Sequence, residues 1–271
     1  MNSEKLAWNM RKDALYMIYN SQGDHIGPIL SVCDIIAVLY ANILNFDPDN
    51  PDYDDRDRFI LSKGHCGAAV YSALAHCGFF SQDILKTHRQ DGTVLSGHVS
   101  HNHVPGVEVS TGSLGHGLSI GAGMALAGKI DKKDYNVFVV LGDGECNEGS
   151  IWEAILFSAH HKLDNLIAIV DRNNLQGMGE SELVSDLNPF EDKWRSFRWN
   201  VDTVDGHNHD ELNDSIKFML NKKNSKPSVI IANTIKGKGI SFMENKLEWH
   251  YKAPNDEEYN LAINELKRSR P

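Results

Sequence analysis

Apolar residues in this chain fall into short runs rich in β-branched residues and longer stretches with helical spacing. Two of the short runs, Val137–Leu141 and Leu166–Val170, are too short for a helix and predict buried parallel strands. Between them, residues Ile151–His161 carry apolar side chains such as Trp152 and Ile155 at the spacing of a helix. This part of the chain therefore predicts a strand–helix–strand unit.

The same alternation of strand and helix patterns continues on both sides of this unit. Further strands are predicted at Phe59–Leu61, Trp199–Asp205 and Ser228–Asn233. Helices are predicted at Lys5–Tyr19, at Ser31–Leu44, in an alanine-rich stretch ending at His76, and at Leu118–Lys129, Asp210–Asn221 and Asp256–Arg268. No linker divides the chain, so we expect one α/β domain over residues 1–271.

Several polar or glycine-rich stretches are predicted as loops. Residues Asn20–Pro28 join two helices, and Asp47–Asp57 is a surface connection with two prolines. The long polar stretch Gln176–Arg198 is predicted as a surface excursion that carries a short helix. In region 95–123 many glycines alternate with apolar residues, which indicates tight packing rather than flexibility.

Polar groups follow both strands of the central unit. The first strand ends in Gly142-Asp143-Gly144 and the second in Asp171-Arg172-Asn173-Asn174. Ligands of open parallel sheets bind outside the carboxyl ends of the strands, so Asp143 and Asn173 should project into one crevice. A carboxylate and an amide oxygen suit a hard cation such as Mg²⁺, and the glycines let a phosphate approach the backbone amides. The pattern therefore predicts a diphosphate that is bridged by a metal ion.

Composition and charge narrow the class of protein. A chain of 271 residues can bury a substantial core, and its net charge of −10 argues against a nucleic-acid partner. Its four cysteines have no C-x-x-C spacing, which favours reduced thiols in a cytoplasmic protein. The first residues lack the apolar core of a signal peptide, and no apolar run approaches the ~20 residues that span a bilayer. We therefore expect neither a nucleic-acid nor a membrane partner.

Histidines stand in several of the predicted loops. His25 lies in the loop between the first two helices, and His65 lies at a strand–helix junction, where a helix N-terminus favours anions. The alternative for His65 is a structural histidine of the core. The glycine-dense region also contains four histidines: His98, His101, His103 and His116. A zinc site is disfavoured there, because no matching set of carboxylates or cysteines accompanies the H-x-x-H-x-H spacing.

Together these motifs resemble the transketolase family. GDG followed by NN thirty residues later (143 to 173) resembles the signature that binds thiamine diphosphate (ThDP), and GDGECNEGSIWEA with NLIAIVDRNNLQ resembles transketolase itself. Other similar stretches, in chain order, are GDHIGP, SKGH, LSGH, VEVSTGSLGHGLS, KGKGISFMEN and WHYKAP. The resemblance implies the ThDP-binding α/β fold, with a mostly parallel central sheet and helices on both faces. It also implies that residues 1–271 are the diphosphate-binding (PP) domain of a transketolase.

The resemblance implies a role for each residue of a cofactor site. Asp143 and Asn173 would bind Mg²⁺, or Ca²⁺ or Mn²⁺ in its place, through side-chain oxygens, and Leu175 through its backbone carbonyl. His65 would contact the diphosphate or lie over the thiazolium ring. The complete set of implied cofactor contacts is His65, Gly112, Ser113, Leu114, Asp143, Gly144, Glu145 and Asn173.

The resemblance also implies residues that take part in the reaction. His25, His65, His98 and His250 would act near the substrate, since histidine can donate to a sugar hydroxyl and exchange protons near neutral pH. The loop of His25 departs from the usual family wording, with Gly23-Asp24 before the histidine. Glu148 would link two cofactor sites across a subunit interface. Its alternative is an ordinary glutamate in the first turn of a helix.

A second chain is implied as the partner. In the family, a pyrimidine-binding (PYR) domain and a C-terminal domain follow the PP domain, and these residues resemble the PP domain alone. We therefore expect the N-terminal subunit of a split transketolase, in an α2β2 heterotetramer with a C-terminal subunit. The implied reaction is the reversible transfer of a two-carbon ketol unit between sugar phosphates of pentose phosphate and carbohydrate metabolism. Because the glutamate that activates ThDP lies on the PYR domain, we expect negligible turnover from this chain alone.

Three alternatives remain open at this point. The chain could serve another ThDP enzyme, such as the α-subunit of a 2-oxo acid dehydrogenase or a deoxyxylulose-phosphate-synthase-like protein. It could also be a non-catalytic ThDP-binding subunit, because fold and function can separate. Within the transketolase class, the donor could be an unusual sugar rather than a pentose-phosphate intermediate.

Overall fold

Five parallel strands form one sheet in the computed structural model, which describes residues 1–222 and 224–271. The strands are β1 (Arg58–Leu61), β2 (Val137–Gly142), β3 (Leu166–Arg172), β4 (Asn200–Asp205) and β5 (Ser228–Asn233). Their order across the sheet is β1-β2-β3-β5-β4, and every neighbouring pair is parallel. Gly142 lies beside Asp171 in the register, so the polar ends of β2 and β3 leave the sheet at the same edge.

Nine α-helices accompany the sheet within the described residues. They are α1 (Ser3–Ser21), α2 (Ile26–Val38), α3 (Gly67–His76), α4 (Gly117–Ile130), α5 (Gly149–His160), α6 (Ser181–Ser185), α7 (Phe190–Ser196), α8 (His209–Asn221) and α9 (Asp256–Arg268). Side-chain caps begin several of them. Asn208 accepts hydrogen bonds from the first turn of α8, and Asn255 and Glu258 form a capping box at α9.

Both faces of the sheet are buried under helices. Alternate residues of a strand point to opposite faces, so Phe138 and Val140 join one apolar cluster while Val139 and Leu141 join the other. The first cluster includes α1, α2, α3, α8 and α9, and the second includes α4, α5 and α7. The predicted α/β fold with helices on both faces is confirmed, and all five strands of this sheet are parallel.

The two termini of the described chain pack against each other. The indole nitrogen of Trp8 in α1 donates to the carbonyl of Leu266 in α9 at 2.6 Å. The rings of Tyr19 and Tyr259 stack with their centroids 4.2 Å apart. These contacts bring the segment before α9 close to the loop between α1 and α2.

Helix α2 begins earlier than its apolar pattern predicted. It starts at Ile26 rather than Ser31, and His25 precedes it with a left-handed backbone (φ 70°). Pro28 lies in the first turn, where the missing N–H has no helical partner to lose. The predicted loop Asn20–Pro28 therefore ends at His25.

A π-helical turn continues α2 to Ile43, and the combined helix corrects one prediction. Residues Ile26–Ile43 are long and apolar enough to span a membrane by length and composition alone, contrary to the expectation that no apolar run approaches that length. In the fold, 83% of these residues are buried. Such burial is typical of a core helix, which is apolar on all sides because neighbours surround it.

The stretch Gln176–Arg198 is largely exposed, as its polar composition predicted, but two of its aromatic side chains enter the core. It contains two short helices, α6 and α7, rather than one. Phe190 and Trp194 of α7 are 1% and 0% exposed, and the ring of Trp194 lies 5.0 Å from that of Trp199. Burying two large aromatic side chains contributes roughly 3–6 kcal/mol, which outweighs the polar character of the surrounding residues.

Candidate active site

A cavity of about 570 Å³ opens at the carboxyl ends of β1, β2 and β3. Twelve of the thirteen sequence-predicted site residues line it: His25, His65, His98, Gly112, Leu114, Asp143, Gly144, Glu145, Glu148, Asn173, Leu175 and His250. Ser113 is the exception, and it is exposed between two lining neighbours. The topology therefore brings together residues that are separated by more than two hundred positions in the sequence.

Three residues that line this cavity have oxygen atoms that could bind a metal ion: Asp143, Asn173 and Leu175. Asp143 is buried, and its Oδ2 accepts hydrogen bonds from the Asn174 amide at 2.8 Å and the Ser181 hydroxyl at 2.9 Å. Asn173 is also buried, and its Oδ1 accepts from the Leu175 amide at 3.1 Å. A carboxylate, an amide oxygen and the Leu175 carbonyl form the kind of oxygen donor set that a hard divalent cation takes. The residues present therefore fit a magnesium ion.

Burial raises the pKa of the Asp143 carboxyl, and hydrogen bonds from Ser181 and Gly144 oppose that rise. A divalent cation beside Asp143 would favour its charged form and cancel the effect of burial. The electrostatics of this carboxylate thus agree with its place in a cation site.

Two buried lysines flank the oxygen donors. Lys63 follows β1, and its Nζ lies 2.5 Å from Asp171 Oδ2. The same carboxylate accepts hydrogen bonds from Ser31 Oγ at 2.7 Å and from the Thr234 hydroxyl. Burial alone would lower the pKa of Lys63, but the carboxylate of Asp171 outweighs it and raises that pKa.

The second lysine, Lys236, is fully buried in the loop after β5. Its Nζ donates to the Leu175 carbonyl at 3.1 Å and lies 2.9 Å from His250 Nδ1. Within residues 1–222 and 224–271 no carboxylate lies within ion-pair distance of it. Burial and the charge of Lys63 lower the pKa of Lys236 to about 8. A cation in this position suits an anionic ligand such as a diphosphate.

The four histidines with a predicted role in the reaction form one group of rings. The ring centroid of His25 lies 5.0 Å from that of His65, 5.9 Å from that of His98 and 5.0 Å from that of His250. Burial lowers the pKa of His25 and His65, and burial together with Lys236 lowers that of His250 to about 3. These three imidazoles are therefore neutral near pH 7, when each has one donor and one acceptor nitrogen.

Close backbone approaches explain two glycines of the predicted motifs. A Cβ on Gly64 would overlap the backbone of Thr111, and a Cβ on Gly112 would lie 3.0 Å from the ring of His98. The hydroxyl of Thr111 donates to the Leu61 carbonyl at 2.6 Å, which ties this loop to the end of β1. Glycine is needed because the loop runs directly over the strand–helix junction that carries His65.

A model of a known protein family matches nearly the whole chain, including these site residues. Residues 3–267 match the family model described as "Transketolase, thiamine diphosphate binding domain". The chain belongs to the transketolase family. The predicted family and its ThDP-binding domain are thereby confirmed.

Named transketolase subunits are similar to this chain over most of their length. One subunit of the apulose-4-phosphate transketolase of Phocaeicola vulgatus is 44% identical over 258 residues, which span 94% of this chain and 90% of the relative. The 6-deoxy-6-sulfo-D-fructose transketolase subunit SqwG of Clostridium sp. is 43% identical over 244 residues, which span 90% of this chain and 88% of the relative. The predicted similarity to transketolase is confirmed by these relatives, which are themselves named as subunits.

A solved transketolase has the same fold. The crystal structure of transketolase from Campylobacter jejuni matches with a TM-score of 0.92 at 31% identity. The match covers 100% of this chain and 43% of that one, so this chain spans less than half of the longer transketolase. The described residues therefore have the fold of the corresponding part of a transketolase.

Two glutamates of this transketolase domain occupy different environments. Glu145 is buried, and its carboxylate accepts hydrogen bonds from Gly115 N at 2.9 Å, Gly142 N at 3.1 Å and the Ser62 hydroxyl. It therefore joins the end of β2 to two other segments near the cavity, at Gly115 and Ser62. Glu148 lines the cavity but is exposed, and it precedes the first turn of α5.

Several residues of the transketolase site carried no predicted role. Lys63 and Lys236 belong to the SKGH and KGKGISFMEN stretches, yet the sequence did not predict that both are buried. A lysine directly after a strand end in a parallel sheet was the available signal. Asp171 and Ser31 gave no such signal, because their contact joins positions 140 residues apart.

Proposed function

We propose that this chain is the PP-domain subunit of a two-chain transketolase that transfers a two-carbon ketol unit from a ketose phosphate to an aldose phosphate. The observation that carries the proposal is one cavity lined both by the oxygen-bearing groups of Asp143, Asn173 and Leu175 and by four histidines, with the buried ammonium of Lys236 hydrogen-bonded to the Leu175 carbonyl behind its wall. When bound, ThDP supplies the carbon nucleophile and electron sink for ketol transfer. The chain's own residues bind, orient and exchange protons.

The metal and the diphosphate would lie at the cavity floor. We assign Mg²⁺, or Ca²⁺ or Mn²⁺ in its place, to Asp143, Asn173 and the Leu175 carbonyl. Lys236 would neutralise part of the diphosphate charge, because burial strengthens its interaction with an anion. The remaining proposed cofactor contacts are His65, Gly112, Ser113, Leu114, Gly144 and Glu145.

The histidine group would handle the sugar. Burial keeps the imidazoles of His25, His65 and His250 neutral, so each can donate one hydrogen bond and accept another, and His98 lies beside His25. Such rings can hold a hydroxyl group and take or return its proton during the cleavage of the bond to the ketol unit. We assign Glu148 to communication between two cofactor sites, since it combines exposure with a place at the cavity wall.

The partner would be a C-terminal subunit with PYR and C-terminal domains. Met178 and Tyr251 line the cavity and are 78% and 63% exposed, so large exposed side chains with apolar surface lie at its opening. A second apolar area, with Leu156 and Phe157 exposed on α5, lies on the helix that begins beside Glu148. We propose that the C-terminal chain docks on the first area and a copy of this chain on the second, which gives an α2β2 heterotetramer.

The substrates would be sugar phosphates of the pentose phosphate pathway, or a less common sugar that carries a phosphate or another anionic group. The second possibility is supported by the relatives, which are named for apulose-4-phosphate and 6-deoxy-6-sulfo-D-fructose. We also propose a cytoplasmic location, since all four cysteines are unpaired thiols.

Complementation tests this function directly. The chain alone, with ThDP and Mg²⁺, should show negligible ketol transfer, and mixing with its C-terminal subunit should raise the rate by at least about 10³-fold, since separating catalytic groups removes their combined effect. Pyruvate serves as the control substrate. Full activity without a partner, or release of CO₂ from pyruvate in place of ketol transfer, would refute the proposal.

A further inference from the structure

An acidic side chain and an arginine lie beside the cavity histidine that precedes α2. Asp24 Oδ1 lies 3.1 Å from His25 Nδ1, and the same oxygen accepts a hydrogen bond from Arg89 Nη1. The side chains of Asp24 and Arg89 are 37% and 36% exposed, whereas that of His25 is 13% exposed and lines the cavity. Asp24 therefore contacts both Arg89, which is partly exposed to solvent, and His25, which lies at the cavity.

The backbone holds this row of groups in a defined place. The His25 backbone is left-handed (φ 70°, ψ 21°), a conformation that costs a non-glycine residue on the order of 1 kcal/mol. Its amide donates to the His250 carbonyl at 2.9 Å. Arg89 packs between two glycines, since a Cβ on Gly23 would lie 3.0 Å from its Nη1 and a Cβ on Gly97 would lie 3.2 Å from its Cδ.

The chemistry of a carboxylate determines which ring nitrogen carries the proton. An ionised carboxylate only accepts hydrogen bonds, so the nitrogen that faces it is the one that carries hydrogen. In a neutral imidazole the other nitrogen is then an acceptor. Within residues 1–222 and 224–271 no group hydrogen-bonds to His25 Nε2, which leaves that nitrogen available on the cavity side.

We propose that Asp24 and Arg89 are positioning residues that fix His25 in the Nδ1–H tautomer and present its Nε2 as an acceptor for a substrate hydroxyl. The part that names the substrate rests on the proposed transketolase function. The tautomer itself is a property of this chain alone. Arg89 has two tasks, because it anchors the carboxylate and also offsets its charge beside the imidazole.

Several charged and titratable groups face His25, and Asp24 acts on its pKa together with them. They are Asp24 and Arg89 on the solvent side, and His65, His98, His250 and Tyr251 around the cavity. Burial lowers the pKa of His25, Asp24 opposes that shift, and His98 and Arg89 add to it. Removing the anion and removing the arginine cation should therefore move this pKa in opposite directions.

Nuclear magnetic resonance of the isolated chain, with ¹⁵N-labelled histidine, tests the tautomer. The spectrum of His25→Gln identifies the signals of His25. We expect the Nδ1–H form in the wild type and in Asp24→Asn, whose amide oxygen still accepts, and a mixture of tautomers in Asp24→Ala. An Nε2–H tautomer in the wild type would overturn the proposal.

The same titration tests the charge balance. Asp24→Asn should lower the pKa of His25 by about 0.5–1 unit, and Arg89→Met should raise it by a similar amount. Asp83→Asn is the matched control, because its exposed carboxylate pairs with Lys86 away from the cavity. Shifts of equal sign in Asp24→Asn and Arg89→Met, or no shift in either, would contradict the inference.

Activity of the assembled enzyme gives the functional consequence. Asp24→Ala should lower kcat/KM by about 10–100-fold, the usual effect of removing a group that orients a functional histidine, and Asp24→Asn should restore part of the loss. The magnetic resonance readout needs neither cofactor nor partner. Failure of the transketolase proposal would therefore leave the tautomer result standing, whereas an unchanged kcat/KM in an active Asp24→Ala enzyme would overturn the positioning role.

Discussion

The two buried lysines at the cavity differ in what balances their charge. Lys63 faces the carboxylate of Asp171, which also accepts two hydroxyl hydrogen bonds. Lys236 meets backbone carbonyls and the imidazole of His250, and no carboxylate of residues 1–222 and 224–271 pairs with it. Accordingly the pKa of Lys63 is raised and that of Lys236 is lowered to about 8. The described residues therefore supply an anionic partner for the first lysine and only neutral hydrogen-bond acceptors for the second.

The largest effect is expected when the balanced lysine loses its partner. Asp171→Asn leaves the Lys63 ammonium buried without an anion, and such a change typically costs about 3–5 kcal/mol of the free energy of unfolding. Urea denaturation measures this loss. The double variant Lys63→Met/Asp171→Asn should recover most of it, since the unpaired charge is then gone.

An exposed ion pair provides the control for that experiment. Lys129 and Asp164 approach to the same 2.5 Å, but their side chains are 36% and 22% exposed. Asp164→Asn should cost no more than about 1 kcal/mol, because solvent screens the pair. Equal losses in Asp171→Asn and Asp164→Asn would remove burial as the reason for the difference.

The next prediction concerns a buried histidine away from the cavity, His88, which has no ion-pair partner among the described residues. Its protonation should lower the free energy of unfolding, because burial disfavours the charged ring. His88 is 1% exposed, and burial together with Arg89 lowers its pKa to about 4. The unfolded chain binds a proton at this residue near pH 6.5, while the folded chain does so only near pH 4. The free energy of unfolding should therefore fall by up to about 3 kcal/mol as the pH drops from about 6.5 to about 4.

Urea denaturation of wild type and His88→Phe across this pH range isolates the contribution of His88. The variant should lose that part of the slope, and His160→Gln at an exposed position should keep it. Parallel pH profiles for wild type and His88→Phe would contradict the assignment.

The smallest expected effect concerns the lysine without a carboxylate partner. Lys236→Met should leave the free energy of unfolding nearly unchanged or raise it, because an unbalanced buried charge is removed. Affinity for ThDP with Mg²⁺, measured by calorimetry on the assembled enzyme, should fall by about 10–100-fold, or roughly 1.4–2.7 kcal/mol. The loss would follow from removing one cation beside the proposed diphosphate site.

Two variants calibrate this measurement. Lys238→Met changes a half-buried lysine of the same loop and should bind ThDP normally. Asp143→Ala removes the proposed metal ligand and should abolish Mg²⁺-dependent binding. If Lys236→Met bound ThDP as tightly as Lys238→Met, the proposed contribution of Lys236 to ThDP binding would be refuted.

The sequence predicted the strands and the cavity edge because both follow local rules. β-branched runs mark strands that are buried on both faces, and parallel strands place their polar ends together. The sequence does not predict the start of α2 at Ile26, because Pro28 favours a loop except in the first turn of a helix, where it lies here. The sequence does not predict the burial of Phe190 and Trp194, because the stretch that contains them is polar on average.

The ion pair of Lys63 and Asp171 shows why the rest was out of reach. Its partners are 108 positions apart, and they meet only because β1 and β3 flank β2 in a defined register. No local pattern encodes that order of strands. Contacts of this kind depend on the assembled sheet rather than on either segment.

The hydrogen bond from the His25 amide to the His250 carbonyl has a consequence for biosynthesis. A ribosome adds about 5–20 residues per second, so more than about ten seconds separate the appearance of these two partners. A nascent chain can pair β1, β2 and β3 in that interval, yet the ring of His250 is still missing from the histidine group. Maturation of the cavity must therefore follow translation of residue 250, however early the sheet begins to form.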